Sequence, residues 1–396
     1  MTELLLAFVM LLLALPSLSL LILTIAALGQ NRKPIPSAAA SAQPVRVAVL
    51  VPAHNESVNV LPTIACLLKQ LKPNDQLLVV ADNCSDDTAA LALAAGAQVL
   101  ERHHAGLRGK GYALAFGVDA LRADPPDVVL VVDADCVVSE GAVACIAQHC
   151  RATGKPVQML NLMSAGPGAG LKIRVLEFAQ VMKNLVRPLG TFRLGGACPL
   201  MGTGMALPWA LIANAKLATG HITEDLKLGL DLVVAGHATQ FLPQVRVSSA
   251  FPMDTGVAKT QKSRWEHGSL AILMEELPGV LAAALKTGKP ALIVMAMDLL
   301  IPPVALYFLV LAVALSVSVL AAMVWPVWQL ATVVVSLAAV AFFVAIALTW
   351  WCFGRHLLSA KELLSTPLYA LWKLPVYLAF FLQKRSGWVR TKRAAE

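Results

Sequence analysis

The chain has few charged residues for its length. Of its 396 residues, 14% are charged and 58% are hydrophobic, whereas roughly a quarter of an average soluble protein is charged. This excludes an ordinary soluble protein. The chain has a net charge of +8, but it has no interleaved basic and aromatic patch and no known nucleic-acid-recognition motif. This argues against nucleic acid as a binding partner. Much of the basic excess lies beside apolar segments, so membrane lipids are the favoured partner.

The seven cysteines also lack a pattern. None of them forms a CxxC pair or a metal-ligand spacing. We therefore interpret them as small core residues in a reducing compartment rather than as a disulfide framework. The seven are Cys66, Cys84, Cys136, Cys145, Cys150, Cys198 and Cys352.

Three apolar segments are long enough to cross a membrane. Residues 4–28 form an uncharged run of about 25 residues, and a hydrocarbon core of about 30 Å needs about 20. A signal peptide would be shorter and would follow a basic residue. Residues 299–325 and 327–353 are two further candidate spans. The basic residues Arg32, Lys33, Arg355 and Lys361 follow the first and last of these runs, which places that side in the cytoplasm.

Two further segments are predicted to lie at the membrane surface. Residues 368–382 are apolar but short for a span, and the basic tail behind them favours an interfacial helix. A fourth span is the alternative there. Residues 171–189 have apolar positions at helical spacing against Lys172, Arg174, Lys183 and Arg187. They predict a basic amphipathic helix at the interface, with packing on a core as the alternative.

Between the apolar ends, the pattern is an alternation of strands and helices. Strands are predicted at 45–51, 77–81, 98–100 and 128–132, and helices at 57–71, 88–95 and 112–121. Continuous apolar strands alternating with helices indicate an α/β fold with a parallel sheet covered on both faces. Such sheets bind ligands at the carboxyl ends of their strands. Polar clusters stand at three of these ends: 54–56, 82–83 and 133–135.

The clusters suggest a site for a metal ion and a phosphorylated ligand. Asp133 and Asp135 leave a strand two residues apart, so both can reach one hard cation such as Mg²⁺ or Mn²⁺. An ordinary Asx turn is the structural alternative. Asp82 ends its strand at the same edge, while Asp86 and Asp87 are better explained as helix caps. Lys110 lies in a glycine-rich loop before a helix, which suits close approach by phosphates.

Two later motifs add a candidate base and a candidate binding face. Asp225 stands at the start of a helix at 226–235, where it either caps the helix or accepts a proton from an attacking hydroxyl. Gln261, Arg264 and Trp265 share one helix face by their spacing. That face can offer a guanidinium to a diphosphate and an indole plane to a sugar. Burial of the tryptophan in a core is the alternative.

Seven short motifs in this order resemble glycosyltransferase family 2, and more closely its membrane-bound branch with cellulose and hyaluronan synthases. They are VPAHNE at 51–56, ADNCSDDT at 81–88, RGKG at 108–111, DADC at 133–136, MGTGMA at 201–206, TED at 223–225 and QKSRW at 261–265. The resemblance covers residue 45 to about residue 277. It implies the Rossmann-like GT-A fold, a nucleotide-diphosphate sugar, for which uracil is the expected base, and a divalent metal, Mg²⁺ or Mn²⁺.

The resemblance also implies roles for individual residues. Glu56 and Asp82 would contact the base of the donor, and Lys110 and Asp133 the rest of the donor. Asp135, with Asp133, would hold the metal, and Asp225 would be the general base. The remaining motif, with Gln261, Arg264 and Trp265, would hold the diphosphate and the acceptor end. His54 receives no role, because relatives often have other residues there.

The expected domains follow from these assignments. They are an N-terminal transmembrane helix at 1–30, a linker at 31–44, a cytoplasmic GT-A catalytic domain at 45–290, two transmembrane helices at 291–355, and an interfacial helix with a basic cytoplasmic tail at 356–396. The expected location, from the resemblance and the charge pattern, is a bacterial inner membrane.

The expected reaction is an inverting transfer of one sugar to a lipid-linked or saccharide acceptor in cell-surface polysaccharide assembly. The small number of spans favours single addition over a processive synthase. A ceramide-type lipid glucosyltransferase is a third alternative. The partners would be the nucleotide-sugar donor, the acceptor, membrane lipids and further subunits of an assembly system. A function of a different class, a transporter or an inactive scaffold, is a further alternative. Asp298 and Pro302–Pro303 are the residues that suggest a transporter.

Overall fold

The computed structural model describes residues 2–29, 44–195, 197–219, 223–251, 255–374 and 377. The first half alternates as predicted. After helix α1 (Thr2–Leu28), its elements are β1 (Val47–Ala53), α2 (Val60–Leu68), β2 (Gln76–Asp82), α3 (Thr88–Ala94), β3 (Gln98–Arg102), α4 (Lys110–Leu121), β4 (Val128–Val131), β5 (Val137–Val138) and α5 (Ala142–Thr153).

The second half continues with longer helices. Its elements are β6 (Val157–Ser164), α6 (Leu171–Val181), a π-helical turn (Met182–Val186), α7 (Arg187–Gly195), β7 (Met205–Pro208), α8 (Trp209–Ile212), α9 (Glu224–Val234), β8 (Gln240–Ala250), α10 (Thr255–Thr287), α11 (Pro290–Leu299), α12 (Val304–Val324), a 3₁₀ turn (Pro326–Trp328), α13 (Gln329–Thr349), a second π turn (Trp350–Gly354) and α14 (Ala360–Trp372).

The eight strands form one mixed sheet in the order β3-β2-β1-β4-β7-β6-β8-β5. The first four strands are parallel, as predicted. The sheet extends beyond these predicted strands and is mixed as a whole, because β7 runs antiparallel to both β4 and β6. Four residues are too few for a periodic pattern, so β7 gave no strand signal of its own.

Helices cover both faces of the sheet. Alternate residues of β1 enter two separate cores, with Val49 and Val51 in one and Leu50 in the other. On the second face, α4 lies close to the strands at Gly117, where a Cβ would be 2.4 Å from Leu50 Cδ1. Strand β1 includes Pro52, beyond its predicted end. The pairing of β1 with β4 stops at Leu50, so the missing N–H of Pro52 costs no bond to that strand.

Three apolar segments have the length and composition of membrane spans: Thr2–Leu28, Val304–Val324 and Pro326–Gly354. The second begins five residues later than predicted. Pro302 and Pro303 separate it from α11, which carries Asp298. Asp298 is buried, and its Oδ1 accepts from Arg187 Nε at 2.7 Å. The residue that hinted at a transporter therefore belongs to an ion pair between α7 and α11.

The predicted amphipathic helix consists of three parts, α6, the first π turn and α7. Its apolar residues Val175, Phe178 and Met182 pack with residues of α1, α12 and α13. At its far end, Arg193 Nη1 donates to Ala26 O of α1 at 3.0 Å, and Gly190 allows the two backbones to touch, since a Cβ there would lie 2.2 Å from Leu23 O. The segment therefore packs on the candidate spans.

Helix α14 begins eight residues before the predicted interfacial helix. Ser359 and Glu362 form a capping box at its start, which fixes the boundary. Residues 375, 376 and 378–396, which include the predicted end at 382 and the basic tail, lie outside the described part of the chain. Of the predicted linker at 31–44, the structure describes residue 44.

Candidate active site

The paired aspartates stand together at the carboxyl end of β4. Ligand atoms of Asp133, Asp135 and Cys136 all lie within 4.8 Å of one another. The Asp133 amide donates to Thr203 Oγ1 at 3.0 Å, which fixes the turn after the strand. Burial raises the pKa of the Cys136 thiol, so its sulfur is protonated and a poor ligand for a hard cation. The two carboxylates fit Mg²⁺ or Mn²⁺, whose other positions water and diphosphate oxygens can fill.

Lys110 faces these carboxylates from the start of α4. Its Nζ forms an ion pair with Asp133 Oδ1 and donates to Gly202 O at 2.7 Å. Burial acts to lower the pKa of Lys110, but the charges of Asp133 and Glu224 outweigh it and raise the pKa. Lys110 is therefore a fixed positive charge at the strand ends, where a diphosphate would be held.

Asp225 and Lys110 both lie beside Gly202. A Cβ on Gly202 would be 3.1 Å from Asp225 Oδ2 and 3.4 Å from Lys110 Nζ. The φ of Gly202 is +83°, a backbone conformation that favours glycine. Burial raises the pKa of both Asp225 and Glu224, while the charge of Lys110 opposes the rise. The predicted base, Lys110 and the aspartate pair therefore lie close together around Gly202, which has no side chain.

Strand β6 holds this backbone in place through one buried side chain. Gln158 is fully buried; its Nε2 donates to Thr203 O at 2.8 Å and its Oε1 accepts from Met201 N at 2.9 Å. Asn161 Nδ2 donates to Met201 O at 3.2 Å. Neither of these two polar residues was predicted, although polar side chains inside an apolar strand are a usable signal, because buried polar groups need partners.

Asp82 occupies the predicted edge at the end of β2. Its buried carboxylate accepts from Arg102 Nη1 at 2.6 Å and from Asn83 Nδ2 at 2.9 Å, both at Oδ1. Its carbonyl is 2.6 Å from His54 Nδ1. Arg102 was not among the predicted site residues. The stack of its guanidinium over Tyr112, at 5.6 Å from the ring centroid, fixes it from the other side.

Glu56 stands on the loop after β1 and is nearly buried. Its amide donates to Thr88 Oγ1 at 2.7 Å, and its Oε2 accepts from Asn59 Nδ2 at 3.1 Å. The same loop bonds to the loop after β2, since Ser85 N donates to Asn55 Oδ1 at 2.8 Å. Glu56 and Asp82 therefore lie on two joined loops at one edge. Of the two predicted caps of α3, Asp86 accepts from Thr88 N at 3.1 Å, whereas Asp87, the N-cap residue, makes no side-chain capping bond.

The predicted binding face with Gln261, Arg264 and Trp265 lies within α10. The side chains of these three residues lie outside the described part of the chain. Their role therefore stays a prediction.

Comparison with known sequences identifies the family. A profile described as glycosyltransferase like family 2 matches residues 44–268, more than half of the chain. The chain belongs to this family. A curated relative, the probable glycosyltransferase YdaM of Bacillus subtilis, is 25% identical over 253 residues. The match covers 59% of this chain and 57% of YdaM, so it spans little more than half of that relative's length.

Comparison with solved structures supports the fold. The mannosyltransferase PcManGT of Pyrobaculum calidifontis, solved with GDP-Man and Mn²⁺, superposes with a TM-score of 0.54 at 17% identity. The superposition covers 87% of this chain and 99% of that one. The expected GT-A fold is thereby confirmed, with a mixed rather than parallel sheet. Membership of the membrane-bound synthase branch stays a prediction.

Proposed function

We propose that the chain is an inverting, metal-dependent glycosyltransferase. It would move a sugar from a nucleotide-diphosphate donor, with uridine as the expected nucleoside, to a lipid-linked or saccharide acceptor in cell-surface polysaccharide synthesis. The observation that carries the proposal is the meeting of Asp225, Lys110 and Asp133 around Gly202. A proton acceptor and a phosphate-binding cation are the two groups that displacement of a diphosphate needs within one site.

The donor would lie across the carboxyl ends of β1, β2 and β4. Glu56 and Asp82 stand at the base end of this edge and Lys110 at the diphosphate end. A divalent cation on Asp135 and Asp133 would neutralise charge that develops on the leaving diphosphate. PcManGT, with its bound GDP-Man and Mn²⁺, supports this class of donor and metal without specifying the sugar.

The transfer itself needs one displacement. The acceptor hydroxyl forms a bond to the anomeric carbon and gives its proton to the Asp225 carboxylate. The bond from that carbon to the diphosphate oxygen breaks, and the nucleoside diphosphate leaves with the electron pair. Attack from the face opposite the leaving group inverts the configuration. Lys110 stabilises the leaving charge, because its own charge is fixed by its carboxylate neighbours.

The location and the domains are part of the proposal. The catalytic domain at 45–290 would face the cytoplasm, with the three apolar segments in a bacterial inner membrane. Three spans favour a single addition, and a processive synthase or a ceramide-type transferase is the alternative. Product analysis separates them, because single addition gives one product and processive synthesis gives a ladder. Further subunits of an assembly system remain expected partners.

Release of nucleoside diphosphate tests the proposal. Detergent-purified protein would be assayed with a panel of nucleotide sugars and lipid extract, with Mn²⁺, Mg²⁺ or EDTA. We expect release from one donor that requires metal. Asp225→Asn should abolish transfer and keep donor binding, because it removes only the proton acceptor. Asp135→Ala should weaken donor binding itself. Equal loss of donor binding in both variants would contradict the role of Asp225, and an enzyme inert with all donors would contradict the function.

A further inference from the structure

Two asparagines have a backbone conformation that side chains rarely adopt, and each follows a strand at the proposed donor edge. Among the described residues other than glycine, positive φ occurs at Asn55 (+54°), after β1, and at Asn83 (+52°), after β2. This left-handed region is unfavourable for a residue with a Cβ, although asparagine tolerates it better than most. Such backbone persists where its surroundings hold it, often at ligand sites. Asn83 directly follows Asp82, which the proposed function places against the nucleobase of the donor.

The side-chain amide of Asn83 forms hydrogen bonds in two directions. Its Nδ2 donates to Asp82 Oδ1 at 2.9 Å, on the carboxylate that would meet the nucleobase. Its Oδ1 accepts from His104 N at 2.8 Å, at the beginning of the loop that leads to α4. The backbone of Asn83 adds a third bond, since its N–H donates to Arg102 O at 2.7 Å. One planar amide group therefore joins the Asp82 carboxylate to the start of this loop.

His104 extends the connection into the loop, which consists of residues 105–109. Its Nδ1 accepts from Gly106 N at 3.2 Å and from Leu107 N at 3.0 Å. Because the loop is largely exposed, packing restrains it little and these hydrogen bonds hold its conformation. The loop ends where α4 begins, at Lys110.

The connection runs from the nucleobase end of the proposed donor site to its diphosphate end. Asp82 is at the first end, and Lys110 is at the second, where its Nζ donates to Gly202 O at 2.7 Å and pairs with Asp133. A site whose two ends are held relative to each other binds a ligand that spans both with a smaller loss of freedom. The side chain of Asn83 is the group that bonds toward both ends.

We propose that Asn83 is a positioning residue that couples recognition of the donor nucleobase to the conformation of the loop at 105–109. This inference rests on the proposed function and deepens it, because it links the two ends of the same donor site. The Nδ2 side of the amide orients the Asp82 carboxylate, and the Oδ1 side fixes the loop in front of Lys110. His104 acts on the loop alone. Both residues act through other groups rather than on the reacting atoms.

Binding of a nucleoside and of its diphosphate separates the two ends. UDP and GDP would be titrated with Mn²⁺ against the full chain in detergent, with uridine and guanosine measured by displacement. The variants are Asn83→Gly, Asn83→Asp and His104→Ala. Glycine adopts the left-handed backbone readily, whereas aspartate keeps the acceptor for His104 N and loses the donor to Asp82. His103→Ala is the matched control, since His103 is exposed and its Nε2 is 3.5 Å from Glu101.

The expected losses differ between the two ligands. Asn83→Gly should weaken nucleoside binding by about three- to tenfold, the range of one hydrogen bond, and diphosphate binding by more. His104→Ala should keep nucleoside affinity and lose about three- to tenfold for the diphosphate, because the loop must then become ordered on binding. Asn83→Asp should weaken both ligands by the same factor. His103→Ala should bind both as the wild type does, and thermal unfolding checks that every variant is folded.

Three outcomes would overturn the inference. The first is unchanged binding of both ligands by Asn83→Gly, which would mean that the asparagine serves only the turn. The second is a His104→Ala variant that loses equally for nucleoside and diphosphate, or for neither. The third is an equal change in His103→Ala and His104→Ala. A wild type that binds a nucleoside diphosphate, with variants that fail in one of these ways, refutes the coupling alone. A wild type that binds neither UDP nor GDP refutes the proposed function.

Discussion

Arg102 and Asp82 are direct neighbours in the register of β2 and β3, and the Arg102 guanidinium donates to Asp82 Oδ1 at 2.6 Å. Their side chains are 10% and 7% exposed. The carboxylate stands where the donor base is expected, so the arginine orients a group that the proposed function uses. An ionised carboxylate is acceptor-only, and the pair would therefore present an acceptor to N–H groups of the base in the proposed donor.

Replacing Arg102 tests this relationship. Arg102→Met leaves the Asp82 carboxylate without its cation, and breaking a buried pair in this way costs about 3–5 kcal/mol. We expect a lower thermal unfolding temperature and weaker binding of nucleoside diphosphate. Arg151→Met is the control, because its Nε is 3.7 Å from Asp127 and its side chain is 57% exposed. Two variants of equal stability and equal nucleotide affinity would contradict the prediction.

The pair also shows what the sequence could predict and what it could not. Asp82 was predicted because an apolar run ends at it, which is a local signal. Arg102 was missed because its relation to Asp82 exists only through the register of two strands twenty residues apart. The same holds for β7, which is recognisable only by its antiparallel pairing with β4. Local patterns predicted the first strands and helices, and non-local pairing determined the rest.

The site residues also divide into those that local motifs predict and those that depend on partners far away in the sequence. Motifs of three to eight residues predicted Asp133, Asp135, Lys110 and Asp225, and in the structure Lys110 pairs with Asp133 while Lys110 and Asp225 both lie beside Gly202. Gln158 was missed, since its partners at 201 and 203 lie more than forty residues away.

Gly202 offers a test of the close approach in the site. Gly202→Ala would put a Cβ 3.1 Å from Asp225 Oδ2 and 3.4 Å from Lys110 Nζ at a φ of +83°. We expect a loss of about 1–2 kcal/mol in stability from the left-handed backbone and, in addition, a large fall in kcat. Gly236→Ala is the matched control, because its φ is +97° and its nearest neighbour is Lys289 Nζ at 3.7 Å. It should lose similar stability and keep its kcat, and a full kcat in Gly202→Ala would contradict the prediction.

Gln158 tests the support beneath the site. Gln158→Leu leaves Met201 N and Thr203 O without their side-chain partner, and each buried unsatisfied group costs about 1–3 kcal/mol. We expect marked destabilisation in thermal unfolding and loss of nucleoside diphosphate release. Gln148→Leu is the control, since Gln148 Oε1 has no hydrogen-bond partner among the described residues. The idea fails if both leucine variants unfold at the same temperature.

The ion pair between Arg174 and Glu362 predicts acid sensitivity at α14. Hydrogen bonds from Arg174, and then from the Ser359 cap, lower the pKa of Glu362 to about 2 from its usual value of 4.5. Because the folded pKa is depressed, the stabilisation is complete above pH 4.5 and is lost as the pH falls from 4.5 through 2. The protection of residues 360–372 against hydrogen exchange, taken relative to the intrinsic rate at each pH, should therefore fall over this range in the wild type.

Glu362→Gln separates this effect from general acid unfolding. Glutamine keeps the geometry of the capping box but carries no charge for Arg174. We expect its protection over 360–372 to be lower than that of the wild type at neutral pH and to change less between pH 4.5 and 2. The double variant Arg174→Gln/Glu362→Gln should show the same weak pH dependence as Glu362→Gln, because neither keeps the ion pair, and any further loss of protection would come from the bond of Arg174 Nη1 to Leu357 O. If the single variant keeps the full acid sensitivity of the wild type, another group is responsible for the attachment of α14 to α6.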